Sequence, residues 1–307
     1  MTLTELRYIV TLAQEQHFGR AADRCNVSQP TLSIAVKKLE DELDTVLFER
    51  SKTRVSPTPV GLEVITQAQR VLEQAASIKD IASAGKGQLT SPLHIGAIFT
   101  VGPYLFPQLI PQLQGIAKEM PLYIEEGYTG TLRTRIRQGD LDVILVALPF
   151  TEADVVTQSL YEESFVVLMD RNHPLAEKSH VAPGDLNQYN VLLLGEGHCF
   201  RDQVFEACPN LKPSMDDPRG KIRTAAEGSS LETLKYMVAS GLGITILPES
   251  ATLINHNAGD MLVTRPFVEP VPKRTIALAW RASFPRLKAV DAIQQAIKNA
   301  KLGQALV

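Results

Sequence analysis

Between Thr58 and Ser83 the residues Val60, Val64, Ala68, Val71, Leu72, Ala75, Ile78 and Ala82 recur every third or fourth position. That spacing predicts one amphipathic helix of about 25 residues. A helix this long with a single apolar stripe must bury it, either against a second copy or against its own domain. It also partitions the 307-residue chain. A short segment precedes it, and a much longer one follows the small, flexible stretch Ala84-Gly85-Lys86-Gly87-Gln88. The chain therefore reads as a head, a long helix, a hinge and a body.

In the head, Leu3, Leu6, Ile9, Val10 and Ala13 mark a first amphipathic helix, and Phe18 to Cys25 a short second one. Asn26-Val27 is turn-like. Ser28 is an N-cap with Pro30 in the next first turn, so a third helix runs from Gln29 to about Leu43. Two short helices joined by a tight turn suit a helix-turn-helix, whose second helix enters the major groove N-terminus first. Its exposed face would offer Ser28, Gln29, Pro30, Thr31 and Ser33 to base edges, and Lys37 and Lys38 to phosphates. A hairpin follows, with Arg50, Lys52 and Arg54 at its tip, within reach of phosphates or the minor groove. Charge does not argue for nucleic acid: the net value is −3, and residues 1–57 hold eight Lys/Arg against eight Asp/Glu. Binding to double-stranded DNA would rest on charge placement. On spacing alone, a surface helix with Lys/Glu pairs beside a solvated loop fits equally well.

The body alternates strand-like runs (His94–Thr100, Leu122–Thr129, Asp142–Leu148, Ser164–Met169, Val191–Leu194, Ile244–Leu247, Thr275–Trp280) with helical ones (Tyr104–Ala117, Leu132–Gln138, Ser230–Ser240, Arg286–Lys298). This predicts an α/β body with parallel sheets. The last strand and helix are expected to return to the first lobe. Thr100 and Thr129 are placed at strand ends, where open α/β sheets bind ligands. Ser229-Ser230 followed by Glu232 suggests an N-cap with a capping box. No apolar run is long enough to span a membrane, and Met1 to Arg7 lack a signal pattern, so a cytoplasmic location is expected. The six histidines have no zinc-like spacing to one another or to cysteine; no metal or cofactor is expected.

Three cysteines are present. Cys25 reads as a small buried hydrophobe. Cys199 lies in Gly195-Glu196-Gly197-His198-Cys199-Phe200-Arg201-Asp202-Gln203, beside His198, Arg201 and Asp202 and ahead of a helical run, with Cys208 downstream. A thiolate is favoured by nearby positive charge and by a helix N-terminus. His198 and Arg201 are candidate donors or positive neighbours, and Asp202 could handle a proton or pair an arginine. The residues alone fit a redox pair and two inert packing cysteines equally well. If 199–208 is helical, nine steps of about 1.5 Å put the two Cα atoms about 13.5 Å apart. A disulfide needs about 7 Å or less, so a bridge requires the segment to be rebuilt. Pro209 disfavours helix at Cys208.

Ala21-Ala22, Ser28-Gln29-Pro30-Thr31-Leu32-Ser33, Leu39-Glu40-Asp41-Glu42-Leu43, Leu47-Phe48-Glu49-Arg50, Thr58 and Gly61 together resemble the LysR-type winged helix-turn-helix. Asp44 departs from the family's usual glycine, at a position that favours the left-handed conformation. The resemblance implies a DNA-binding domain over 1–58, a dimerisation helix and hinge over 59–90, and a two-lobed regulatory domain over 91–307. That domain is periplasmic-binding-protein-like, with lobe I about 91–162 and 267–301, lobe II about 163–266, and a cleft between them. Gly197 to Gln203 with Cys208, Thr100 to Leu105, Ser229 to Leu234 and Arg274-Thr275-Ile276 further resemble the OxyR branch, which senses peroxide. This implies Cys199 as the peroxidatic thiol, resolved by Cys208 through a disulfide. Thr100 and Thr129 would orient peroxide, with His198 near the thiol and Arg274 reaching in from the opposite lobe. The implied partners are promoter DNA, further copies in a homodimer or tetramer, and RNA polymerase. The competing readings are a LysR-type regulator of a small organic effector with inert cysteines, and a thiol peroxidase that turns over.

Overall fold

A computed structural model describes residues 1–50, 55–83, 87–212, 227–252, 261–300 and 304–305. The chain forms two units, Met1–Gly85 and Lys86–Val307.

The first unit packs α1 (Leu3–Glu15), α2 (Phe18–Arg24) and α3 (Gln29–Glu42) around Ile9, Leu12, Ala21, Leu32, Val36 and Leu39, all fully buried. Each helix start is capped. Thr2 and Glu5 form a capping box on α1, His17 Nδ1 accepts the Gly19 and Arg20 N–H groups on α2, and Ser28 accepts the Thr31 N–H on α3. Asp44 sits at φ 46°, the left-handed conformation expected there. The strands β1 (Phe48–Arg50) and β2 (Val55–Pro57) pair antiparallel as a wing. Its tip, with Lys52 and Arg54, lies outside the described residues, as do Ala84, Gly85 and Lys86 of the hinge.

Helix α4 (Pro59–Ser83) starts where Thr58 bonds the Val46 carbonyl and caps the Gly61 N–H. A Cβ on Gly61 would meet the Leu47 carbonyl oxygen at 2.1 Å, so only glycine lets the helix pass this close. The stripe divides. Val64, Ile65, Ala68 and Leu72 pack on the head, whereas Val60, Leu62, Val71 and Ile78 stay exposed.

The second unit has two hydrophobic cores, and they define two lobes. In lobe I, β3 (Leu93–Ile98) pairs parallel with β4 (Leu122–Gly127) and β5 (Val143–Ala147), flanked by α5 (Gly102–Ile116), α6 (Thr129–Gln138) and α9 (Leu287–Ala300). In lobe II, β7 (Val191–Leu194) pairs parallel with β8 (Glu227–Gly228) and β9 (Ile244–Pro248), with α7 (Cys199–Ala207) and α8 (Leu231–Ala239) alongside. The wholly parallel expectation fails at β6 (Val155–Asp170) and β11 (Lys273–Arg281). These run antiparallel to each other, β11 also to β5, and β6 also to β9 and β10 (Leu262–Pro266). The sixteen-residue β6 serves both lobes: its first half pairs with β11, its second with β9 and β10. Gln304–Ala305 (β12) pairs with β6 as well.

Candidate functional site

The site is built on the loops that end β3, β4 and β7. After β7, the chain reaches His198 through Gly197 at φ 91°, where a Cβ would stand 3.2 Å from the Tyr128 ring. Cys199 is then the first residue of α7, with His198 as N-cap. It is half-buried and packs against the core of lobe I, although its helix belongs to lobe II. The thiol thus stands between the lobes, at a helix N-terminus, where backbone N–H groups and the helix dipole favour an anion.

His198 is 6 % exposed. Its ring lies edge-on to Tyr128 at 4.8 Å and 5.8 Å from Phe99. Burial pushes its pKa below the ordinary value, opposed by a hydrogen bond to the Ser229 backbone. A bond that favours the protonated ring is one the ring donates, so it engages a carbonyl. The other nitrogen, Nε2, is buried without a partner, a neutral acceptor facing inward. At rest His198 is therefore a neutral acceptor and not a standing positive charge beside the cysteine.

Thr100 lies in the turn after β3 rather than ending the strand, and Thr129 opens α6, two residues past the end of β4. Thr100 is 3 % exposed. Its Oγ1 accepts Arg274 Nη1 at 2.8 Å and its carbonyl accepts Nη2 at 2.8 Å, so the hydroxyl proton is left to donate. Arg274, also 3 % exposed, is held by Glu163 at 2.8 Å and lies 5.1 Å over the Phe200 ring. Its guanidinium aims Thr100 instead of standing free at the thiol. Thr129 Oγ1 is buried with no hydrogen-bond partner.

Arg201 and Asp202 do not join this group. Arg201 turns back to the Leu194 carbonyl at 2.9 Å and lies over Phe205, while Asp202 is exposed in the first turn of α7. The residue that faces inward is Gln203, one helical turn from Cys199, and sequence reading assigned it no role. Its Nε2 donates to Leu148 O at 3.2 Å across the lobes, and its Oε1 is buried and unpartnered. The i, i+4 spacing from Cys199 was the available signal. Phe99 and Tyr128 were missed too, although each adjoins a predicted threonine. A cavity of about 640 Å³ lies beside Gln203, lined by both lobes through Leu148, Phe165 and Arg274.

Cys208 is the C-cap of α7, 2 % exposed within the core of lobe II, and burial pushes its thiol up to about 11. All three cysteines are free. In α8, Ser230 caps the Thr233 N–H, but Glu232 sits one position too early for the capping box and reaches elsewhere. In the head, Ser28, Gln29, Pro30, Thr31, Lys37 and Lys38 are exposed and Ser33 is half-buried. Lys38 is paired with Glu5 at 3.0 Å, and Ile34, unassigned from sequence, is 69 % exposed. Among the described residues no cluster of three or more His, Cys, Asp or Glu could hold a metal, and no helix is long and apolar enough to cross a membrane.

The profile of the LysR family of bacterial regulatory helix-turn-helix proteins matches residues 3–62, and that of the LysR substrate binding domain residues 86–301. A hydrogen peroxide-inducible genes activator of Dickeya chrysanthemi is 39% identical over 93% of this chain and 91% of its own. A full-length OxyR from Pseudomonas aeruginosa, with aspartate replacing a cysteine, is 57% identical at a TM-score of 0.75, over 97% of this chain and 95% of that one. A cysteine-to-serine mutant of Corynebacterium glutamicum OxyR with hydrogen peroxide bound is 32% identical at 0.60, over 97% of this chain and 92% of its own. With a helix-turn-helix head, a two-lobed body and these matches along its length, the chain belongs to the LysR family, in its OxyR branch.

Proposed function

We propose that this protein is a DNA-binding transcriptional regulator that senses hydrogen peroxide, with Cys199 as the peroxidatic thiol and Cys208 as the resolving one. One observation carries the reading. Thr129 Oγ1, His198 Nε2 and Gln203 Oε1 are buried without partners, the first at the start of α6 and the other two on the segment that carries the half-buried thiol. A buried polar atom left unpaired costs about 1–3 kcal/mol. Three together suit a small guest able to donate and accept hydrogen bonds, as peroxide is.

The chemistry runs as follows. His198 Nε2, neutral at rest, accepts the Cys199 proton as the sulfur attacks. Thr100 and Thr129 orient the peroxide through their hydroxyls. The sulfur attacks one oxygen, the O–O bond breaks, and the leaving hydroxide takes the proton back from His198 as water. Cys199 is now a sulfenic acid. The Cys208 sulfur attacks it, the S–O bond breaks, and the hydroxyl leaves with the Cys208 proton as a second water.

The helical segment cannot hold that disulfide, so it refolds, and lobe and subunit packing change with it. The head (1–58) reads promoter DNA through Ser28 to Thr31, Ser33, Lys37, Lys38 and the wing with Arg50, Lys52 and Arg54. The exposed Val60, Leu62, Val71 and Ile78 of α4 are covered by a second copy in a homodimer or tetramer. The regulator acts in the cytoplasm with RNA polymerase and is not an enzyme, since the thiol is consumed once per signal. The test is mass spectrometry of residues 195–208 with footprinting of promoter DNA, before and after stoichiometric peroxide. A Cys199–Cys208 bridge with an altered footprint, both lost in Cys199→Ser, is expected. A Cys199→Ser protein that still switches overturns the reading.

A further inference from the structure

Tyr104 belongs to α5 of lobe I, yet its ring is 3 % exposed inside the core of lobe II. Its hydroxyl donates to Glu232 Oε1 of α8 at 2.9 Å. The buried Lys235 donates to the same oxygen at 2.7 Å, and its ammonium lies 5.2 Å from the centre of the Tyr104 ring. Burial and the Glu232 carboxylate raise the phenol's pKa, so it stays protonated and donates. The ends of this contact are informative. Tyr104 stands in the first turn of the helix that follows Thr100. Glu232 stands in the first turn of the helix that follows Ser229, whose backbone holds His198. The Tyr104–Glu232 bond thus joins the two helix starts that carry the peroxide-facing threonine and the support of the histidine. A second hydrogen bond, from Gln203 to the Leu148 carbonyl, also crosses between the lobes near the thiol.

We propose that Tyr104, fixed by Glu232 and Lys235, is a positioning residue for the peroxide reaction: it locks the lobe bearing Thr100 to the lobe bearing His198 and Cys199. The inference rests on the peroxide reading above. Tyr104 touches neither peroxide nor sulfur; it sets the distance between groups that do. Misplacing reacting groups by about 1 Å can cost on the order of a hundredfold in rate. Removing one hydroxyl from a plug that otherwise stays seated should cost about tenfold.

The experiment uses the full chain. The rate of Cys199 oxidation by hydrogen peroxide is measured beside its alkylation by iodoacetamide, which needs no oriented donors. Tyr104→Phe should slow oxidation about tenfold and leave alkylation within about twofold of the parent. Glu232→Ala, which removes the acceptor from its half-exposed side, should show the same selective loss. In a Thr100→Val background, Tyr104→Phe should have little further effect, because both changes remove one arrangement. Parallel losses of oxidation and alkylation would mean a structural role and overturn the proposal, as would a Tyr104→Phe chain as fast as the parent. A parent whose Cys199 resists peroxide overturns the peroxide reading and this inference with it, whereas a reactive parent with an unaffected variant overturns the latch alone.

Discussion

If the proposed disulfide forms, α7 must come apart, and the cost of that step can be tuned without touching the site. The helix runs from Cys199 to Ala207, and the Cys208 N–H still bonds the Val204 carbonyl at 2.8 Å. At about 1.5 Å per residue the two Cα atoms are about 13.5 Å apart, roughly twice what a disulfide spans. Glu206 lies exposed in the last turn. Replacing it by Gly or by Ala gives two proteins that differ by about 1 kcal/mol in helix propensity, a factor of about five in the equilibrium for opening. Acid-quenched alkylation with mass spectrometry resolves thiol, sulfenic acid and disulfide in time. Sulfenic acid should form at equal rates in both proteins, because Cys199, Thr100, Thr129 and His198 are unchanged. The disulfide should follow about five times faster with Gly than with Ala. Equal second-step rates would show that unwinding of α7 is not on the path. A fivefold change in the first step would show that the substitution reached the peroxide site.

Arg274→Met should destabilise the regulatory unit by about 3–5 kcal/mol in urea unfolding, because Glu163 is left buried and uncompensated, and Glu163→Gln added to it should recover part of the loss. Lys37→Ala should lower the slope of log affinity against log salt by about 0.9 on promoter DNA, and Lys38→Ala by less, because Glu5 already neutralises Lys38. The Cys208 thiol is raised from an ordinary 9.0 to about 11, so the folded state binds more protons than the unfolded one across that window. Stability present below about pH 9 should therefore fall as pH rises toward about 11, a loss absent from Cys208→Ala in pH-dependent denaturation.

The head was legible because its signals are local. Ser28 before Pro30, Thr58 before Gly61 and Asp44 at a left-handed turn each act within a few residues, and the structure shows each in that role. Six of the body's strands were located within two residues and β6 in its second half alone; β8, β10 and β12 were missed, as was the direction of β6 and β11. Only Phe165 to Met169 of β6 has the continuous apolar character of a buried strand; its first half carries Thr157, Gln158 and Ser159 in succession, none of them fully buried. Antiparallel crossing between lobes is a tertiary fact that leaves no such run. The same limit holds at the site. Thr100 and Thr129 were picked out by place in the chain, but the commitments of Arg201 to Leu194 and Arg274 to Thr100 depend on which carbonyl or hydroxyl lies nearest in space. Proximity in sequence favoured Arg201 and Asp202; folding selected Gln203.

Phe200 is where reactivity and refolding meet. It follows Cys199 in the first turn of α7 and is 2 % exposed, edge-on to Phe165 at 5.0 Å. Its face lies under Arg274, whose guanidinium aims Thr100. Unwinding α7 far enough to bring Cys208 to Cys199 withdraws Phe200 from that stack, or strains it, and so removes the floor on which Arg274 rests. On this reading the disulfide does more than record that peroxide arrived. The arrangement that made the thiol reactive is dismantled by the rearrangement that stores the signal, and the two cannot coexist in one conformation. The buried, protonated Cys208 fits the same logic. While α7 is intact it remains in the core of lobe II, away from peroxide, and becomes available only as the helix opens.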